Sequence, residues 1–225
     1  MYLFSDGPRE YDFLLKILSM GRDNYWRNSI IEKANLPAHS KVLDIACGTG
    51  LVSFQFAARN DMVISIDVTR EMLLQANDLK NGMSNNTDVN LIQARAENLP
   101  LRSGIFDCAT ISLATRNVSS ISQTFKEMRR CVRPDGPVIS MDFTRPRGKV
   151  FTPFYNFYIF KVLPSLGLMI SRHWNGIFTY LARSIIRSKS PEELSRIMED
   201  VGLQDIKIKR MTHGVTALVT GYHKS

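Results

Sequence analysis

Two short runs constrain this chain more than any others: "KVLDIACGTG" at 41–50 and "MVISID" at 62–67. The first is an apolar strand ending near Asp44, then a turn in which Gly48 and Gly50 flank Thr49. "LVSFQFAARN" follows with helical character. Glycine in such a turn permits positive φ and lets a ligand approach the backbone. The helix behind it offers free N–H groups to a carboxylate or phosphate. The second run ends in Asp67, 17 residues past Gly50. A carboxylate at that place can accept from two ribose hydroxyls. Strand, glycine turn, helix and strand in this order open a parallel sheet, so the chain reads as α/β. The dinucleotide fingerprint G-x-G-x-x-G fails at its third glycine, where Ser53 stands, and no P-loop lysine follows. Both observations argue against NAD and ATP.

The alternation continues. "VNLIQA" (89–94), "FDCATIS" (106–112) and "PVISMDF" (137–143) read as buried strands. "TREMLLQANDLKN" is a helix with Thr69 as N-cap, and "SSISQTFKEMRRCV" one capped by Ser119 or Ser120. Residues 144–190 read as loop and helix, with Pro146, Pro153, Pro164 and several glycines as breaks. "SPEELSRIMEDVG" is a helix capped by Ser190, opened by Pro191 and ended by Gly202. "DIKIKRM" and "VTALVTGYH" alternate at period two and form a closing antiparallel pair around "THG". A length of 225 residues suits one domain, 1–225, with a helical cap at 1–38 and a helical, substrate-side insertion at 144–190.

The net charge of +8 is unevenly placed. From Lys126 to Lys189 there are twelve Lys or Arg against three acids (Glu127, Asp135, Asp142), a balance of +9. "FTPFYNFYIF" lies in the same region. Basic plus aromatic suits single-stranded RNA or a lipid headgroup layer. No stretch of about 18 residues is free of charge, Pro and Gly together, so no transmembrane helix is expected. The first residues lack a basic segment followed by an apolar run, so no secretory signal is readable. Cys47, Cys108 and Cys131 show no CxxC spacing, which fits buried thiols in a reducing compartment and no metal site. The expected location is cytoplasmic, with peripheral membrane contact allowed.

The strand, G-x-G turn and second-strand acid, followed by "QARAENLPLRSGIFDCATIS", resemble the class I S-adenosylmethionine methyltransferases. Five more blocks are similar to the ubiquinone/menaquinone biosynthesis C-methyltransferase family (UbiE-type): "YDFLLKILSMGRDNYWR", "ISLATRNV", "YNFYIFKVLPSLG", "YLARSI" and "MTHGVTALVTGYH". The resemblance implies a Rossmann-like, mostly parallel seven-stranded sheet with helices on both faces. N-terminal helices and a helical insertion before the last two strands complete it. The cofactor implied is S-adenosyl-L-methionine, with S-adenosyl-L-homocysteine as product. Thr49 would meet its methionine part, Asp67 its ribose, Arg95 and Ala96 its adenine. Ser112 would close against it from the fourth strand, and Asp44, Cys47, Gly48, Gly50 and Val68 complete the cofactor set. Tyr11, Arg116 and Asn117 would face the acceptor ring, with Tyr155, Tyr158 and His173 on the substrate side.

The chain departs from the family in three places. "FGLRN" is "LATRN", so Thr115 stands where an apolar residue is usual; "YLAES" is "YLARS", which introduces Arg183; and Val219 replaces a histidine before the closing "GY". Methyl transfer to a ring carbon needs a neighbouring hydroxyl deprotonated or its oxyanion steadied. Arg116 suits the second task, since its pKa is too high for a free base. Asn117 would position a water or the hydroxyl, the competing reading being a turn residue in a surface loop. His173 and His213 are weaker candidates for a base, and Asp142 either points into the site or caps a strand. The expected acceptor is a polyprenylated quinol or naphthoquinol, and the demethylmenaquinol step is preferred. Rivals are another lipid or phenolic acceptor, an RNA methyltransferase, and a cofactor-binding regulator without turnover. A lipophilic quinol is the expected partner, nucleic acid is not expected, and a homodimer is compatible with the reading.

Overall fold

The structure, a computed structural model, describes residues 8–59, 61–83, 87–149 and 151–224. Two helices come first, α1 (Pro8–Leu18) and α2 (Asp23–Ala34). Then β1 (Lys41–Ile45), α3 (Leu51–Ala57), β2 (Met62–Asp67), α4 (Arg70–Asn81), β3 (Val89–Gln93) and β4 (Cys108–Ser112) alternate. α5 (Ile121–Cys131) and β5 (Pro137–Phe143) follow. The insertion holds α6 (Phe151–Phe157), α7 (Leu163–Ile170) and α8 (Arg172–Arg187). α9 (Pro191–Asp200), β6 (Gln204–Met211) and β7 (Thr216–Tyr222) end the chain.

Seven strands form one sheet in the order β3-β2-β1-β4-β5-β7-β6. β1 to β5 pair in parallel, and β7 runs antiparallel between β5 and β6. Side chains alternate between the faces as the period of two requires. Val42, Cys108, Ile139 and Met141 enter the core under α1–α3 and the insertion. Leu43, Ile45, Ile111 and Val138 enter the other, under α5 and α9. The strand order reverses between β1 and β4, and a crevice opens there at the strands' carboxyl ends.

Several local expectations shift by a residue or two. The fourth strand starts at Cys108; Phe106 keeps only one parallel bridge, to Val132. Ser120, not Ser119, caps α5 by accepting from the Gln123 N–H at 3.2 Å. Thr69 makes no side-chain cap; its own N–H donates to Asp67 Oδ1 at 2.8 Å. Ser190 and Glu193 form the reciprocal capping box of α9.

Pro146 lies in irregular chain before α6 as expected, but Pro153 and Pro164 do not break the insertion. Pro153 lies in the first turn of α6, where a missing N–H costs nothing. Pro164 follows a π-helical turn, Tyr158–Val162, which joins α6 to α7 without interruption. Such a turn takes up the hydrogen bond and the space that a mid-helix proline would otherwise cost. α8 folds back on α7, and an added Cβ on Gly167 would sit 2.8 Å from the Asn175 backbone nitrogen. Only a glycine permits that approach.

Candidate active site

The turn after β1 is built as its residues require. Ala46, Gly48 and Gly50 all have positive φ, at 52°, 56° and 82°. This winds the chain back over the sheet edge and aims the Gly48 N–H at Asp67 Oδ2, 2.9 Å away. Asp67 thus accepts from two backbone N–H groups and keeps lone pairs for a ligand. Burial pushes its carboxyl up, against those two hydrogen bonds. Asp44 is fully buried beneath the turn and accepts from Ser53 Oγ at 2.6 Å and Thr110 Oγ1 at 3.0 Å. Burial raises its carboxyl to about 6.

A cavity of about 330 Å³ opens at this edge. Asp44, Cys47, Gly48, Thr49, Asp67 and Val68 line its floor and one side. Arg95, Ala96, Ser112 and Asn117 line another. Gly50 does not line it; its Cβ position faces the Phe54 ring at 3.0 Å, so it serves packing. The exposed Arg95 side chain donates from Nη2 to Ser119 Oγ at 2.8 Å, and Ala96 is buried. Cys47 is a thiol held protonated, because burial and then the charges of Asp44 and Asp67 push its pKa up.

Two wall residues lie where the sequence reading did not look. Asp12 on α1 accepts from Thr49 Oγ1 at 2.9 Å, and Arg27 on α2 lines the same end of the cavity. The signal was present, since Asp12 adjoins Tyr11 and Arg27 closes "YDFLLKILSMGRDNYWR". Position on a helix does not say which way a side chain points. The side chains of Tyr11 and His173 lie outside the described residues.

At the end of β4 the chain turns sharply through Leu113, a bulky residue at φ 55°. Its N–H is held by the Met141 carbonyl at 2.7 Å. Strain of this kind gathers at functional sites, and here it brings Ser112, Leu113 and Ala114 to the cavity wall. Arg116 and Asn117 then part company. Asn117 lines the cavity, and its Oδ1 is buried with no donor. Arg116 does not line it. Its Nη1 donates to Asp142 Oδ1 at 2.8 Å and to the Leu113 carbonyl at 2.6 Å. Its guanidinium covers the Phe143 ring at 5.4 Å. Asp142 also accepts from the Thr115 N–H at 2.9 Å, from the Thr115 hydroxyl and from the Phe143 N–H. Nor do Tyr155 and Tyr158 of the insertion line the cavity. Tyr155 is buried against Phe151, and the Tyr158 hydroxyl donates to the Ile17 carbonyl at 2.9 Å, tying the insertion to α1.

The cavity suits a ligand with hydroxyls at one end and charge at the other. A Cβ on Gly48 would meet nothing within 4 Å, so the backbone there borders open space. Asn117 Oδ1, and Nε and Nη1 of Arg27, are buried polar atoms awaiting partners.

The family described as "ubiE/COQ5 methyltransferase family" matches residues 2–223. The "Ubiquinone/menaquinone biosynthesis C-methyltransferase UbiE" of Geotalea daltonii is 34% identical over 217 residues, covering 95% of this chain and 91% of that protein. Its counterpart from Geobacter sulfurreducens is 32% identical over 222 residues, covering 97% and 86%. Among solved structures, a SAM-dependent methyltransferase from Aquifex aeolicus has a TM-score of 0.61 at 17% identity, covering 87% of this chain and 88% of that one. Phosphoethanolamine N-methyltransferase 2 of Haemonchus contortus, solved with S-adenosyl-L-methionine, reaches 0.68 at 14%, covering 91% and 53%. The two structures share the fold. S-adenosylmethionine is accordingly the cofactor, and the chain belongs to the ubiE/COQ5 methyltransferase family.

Proposed function

We propose that this protein transfers a methyl group from S-adenosylmethionine to a ring carbon of a polyprenylated quinol, and that the acceptor is a naphthoquinol, the demethylmenaquinol step. The observation that carries a lipid-borne acceptor is the composition of the insertion's surface. From Phe143 to Lys189 there are eight Lys or Arg and no Asp or Glu. On the same segment Phe154, Phe157, Leu166, Leu168 and Met169 are exposed, Met169 to 84%. Arg147 and Lys189 pair with Glu192 and Glu193 of α9, and the exposed apolar side chains among the remaining cations suit an anionic bilayer, where such a quinol resides. The two relatives named for quinone biosynthesis support the acceptor class.

When bound, S-adenosylmethionine supplies an electrophilic methyl on a sulfonium. Asp67 is the acceptor for the ribose hydroxyls, with its orientation fixed by Gly48 and Thr69. Val68, exposed at the rim, and the backbone at Arg95–Ala96 border the adenine. Ser112, Leu113 and Asn117 face the reacting end. Asn117 Oδ1 accepts the hydrogen of the acceptor's hydroxyl and so orients the ring carbon beside it. Arg116 is a positioning residue: bound to Asp142, it fixes the loop that carries Asn117.

The test is incubation with S-adenosylmethionine and reduced demethylmenaquinone or the corresponding benzoquinol in vesicles, with mass readout. Methylated naphthoquinol is expected. Methylation of the benzoquinol alone overturns the naphthoquinol assignment, and transfer to neither overturns the quinol assignment.

A further inference from the structure

A second cleft, of about 910 Å³, lies beside the loop that follows β4. That loop and the start of α5 form one wall, and α8 forms the other. Its lining includes no acidic residue, but it includes Arg116, Arg183, Arg187 and Lys189. Lys189 is paired with Glu193 at 3.1 Å. Arg183 and Arg187 are exposed and form no ion pair among the described residues. They stand four residues apart on α8, so two like charges share one helix face and repel. Arg187 answers the negative end of that helix, whereas Arg183 stands one turn too early to do so. Arg116 is buried, at 5% exposure. Its Nη1 is taken by Asp142 and the Leu113 carbonyl, while its Nε is buried with no acceptor.

α5 opens onto the same cleft through Ile121 and Ser122. These are its first two helical positions, whose N–H groups have no acceptor within the helix. The first turn of α5 carries no acid, so its own side chains do not offset the positive helix end. Glu97 accepts from the N–H groups of Ser119 and Ser120, just before the helix, at 2.6 and 3.3 Å. Guanidinium forks on one wall and a helix terminus on the other offer donors from different sides, which suits a tetrahedral phosphate better than a planar carboxylate. We propose that this cleft binds a phosphate group, gripped by Arg183 and Arg187 and by the amino end of α5, with Arg116 behind. The volume leaves room for the organic part of a phosphate ester. The ester comes either from a lipid headgroup or from a free metabolite.

The test is an NMR titration of the full chain at low salt, because exposed charges are screened otherwise. The probes are inorganic phosphate and glycerophosphoglycerol, the free headgroup of phosphatidylglycerol. Sedimentation with phosphatidylglycerol vesicles accompanies them. Saturable shifts are expected at the Nε–H signals of Arg183 and Arg187 and at the amides of Ile121 and Ser122. Arg183→Gln with Arg187→Gln is expected to weaken binding about tenfold or more. Lys207→Gln with Lys209→Gln removes the same charge from exposed positions on β6 and is expected to leave binding unchanged. Preference for the diester, with vesicle binding weakened by the arginine pair alone, assigns the phosphate to a lipid. Preference for inorganic phosphate, with vesicle binding indifferent to the arginine pair, assigns it to a free ester. The site is overturned by the lack of a saturable shift at these residues with either soluble probe. It is also overturned by a folded arginine variant that binds like the wild type, or by an equal loss in the lysine control. The wild-type shifts decide the matter even where a variant fails to fold. Neither cofactor nor acceptor enters the experiment, so its outcome is independent of the proposed methyl transfer.

Discussion

The Thr115 hydroxyl donates to Asp142. It is the fourth donor to a carboxylate also held by Arg116 and two backbone N–H groups. Arg116 and Asp142 are 5% and 1% exposed, so removing one leaves the other charged and buried. Arg116→Met is expected to cost about 3–5 kcal/mol of stability, and adding Asp142→Asn to restore part of it. Urea unfolding of the wild type, the single and the double variant measures this. A folded Arg116→Met of wild-type stability but with no turnover would return Arg116 to the acceptor. Asp44 makes a second prediction at this scale. Its folded pKa of about 6 lies above its ordinary 3.8 because burial disfavours the charge. The folded state therefore holds the proton more tightly than the unfolded one. The stability this confers is fully present below the unfolded pKa and is lost as pH rises through the folded one, on the order of 3 kcal/mol. Asp44→Asn should remove that decline between about pH 4 and pH 7, seen as a flatter difference in unfolding free energy across the window.

The elements differ in how openly the residues announce them. β1, its glycine turn and β2 are legible because their requirements are local: apolar runs for buried strands, glycine for positive φ, an acid at the strand end. The insertion is less so. Pro153 and Pro164 signal breaks, yet one sits in a first turn and the other behind a π turn. Whether a helix can tolerate such a turn depends on what packs beside it, and here α8 does. Gly167 is the point of closest approach between them, so Gly167→Val must push α7 from α8. The expected loss is about 1–3 kcal/mol. Hydrogen exchange should accelerate at 163–187 and stay unchanged in β1, β2 and β4.

At the scale of the molecule, the insertion presents the exposed Phe154, Phe157, Leu166, Leu168 and Met169 beside Lys149 and Lys161. Among the described residues no helix is long and apolar enough to cross a membrane. Phe154→Ser with Phe157→Ser and Met169→Ser is expected to lower binding to anionic vesicles about tenfold or more, given roughly 1.5–3 kcal/mol per buried apolar side chain. Turnover of a tailless, water-soluble acceptor should not change. Unaltered vesicle sedimentation would remove the membrane from the proposed function.

The residues by themselves determined the α/β class, the glycine turn after β1, and the acid that ends β2, since each follows from backbone and burial demands within a few positions. Only the tertiary structure decided the partners of the side chains around it. Thr49 meets Asp12 across 37 residues and Arg116 meets Asp142 across 26. The same "RN" pair sends Asn117 into the cavity and Arg116 away from it, because Leu113 turns the backbone and Asp142 captures the guanidinium. Such choices are set by which surfaces pack together, and the chain states them nowhere locally.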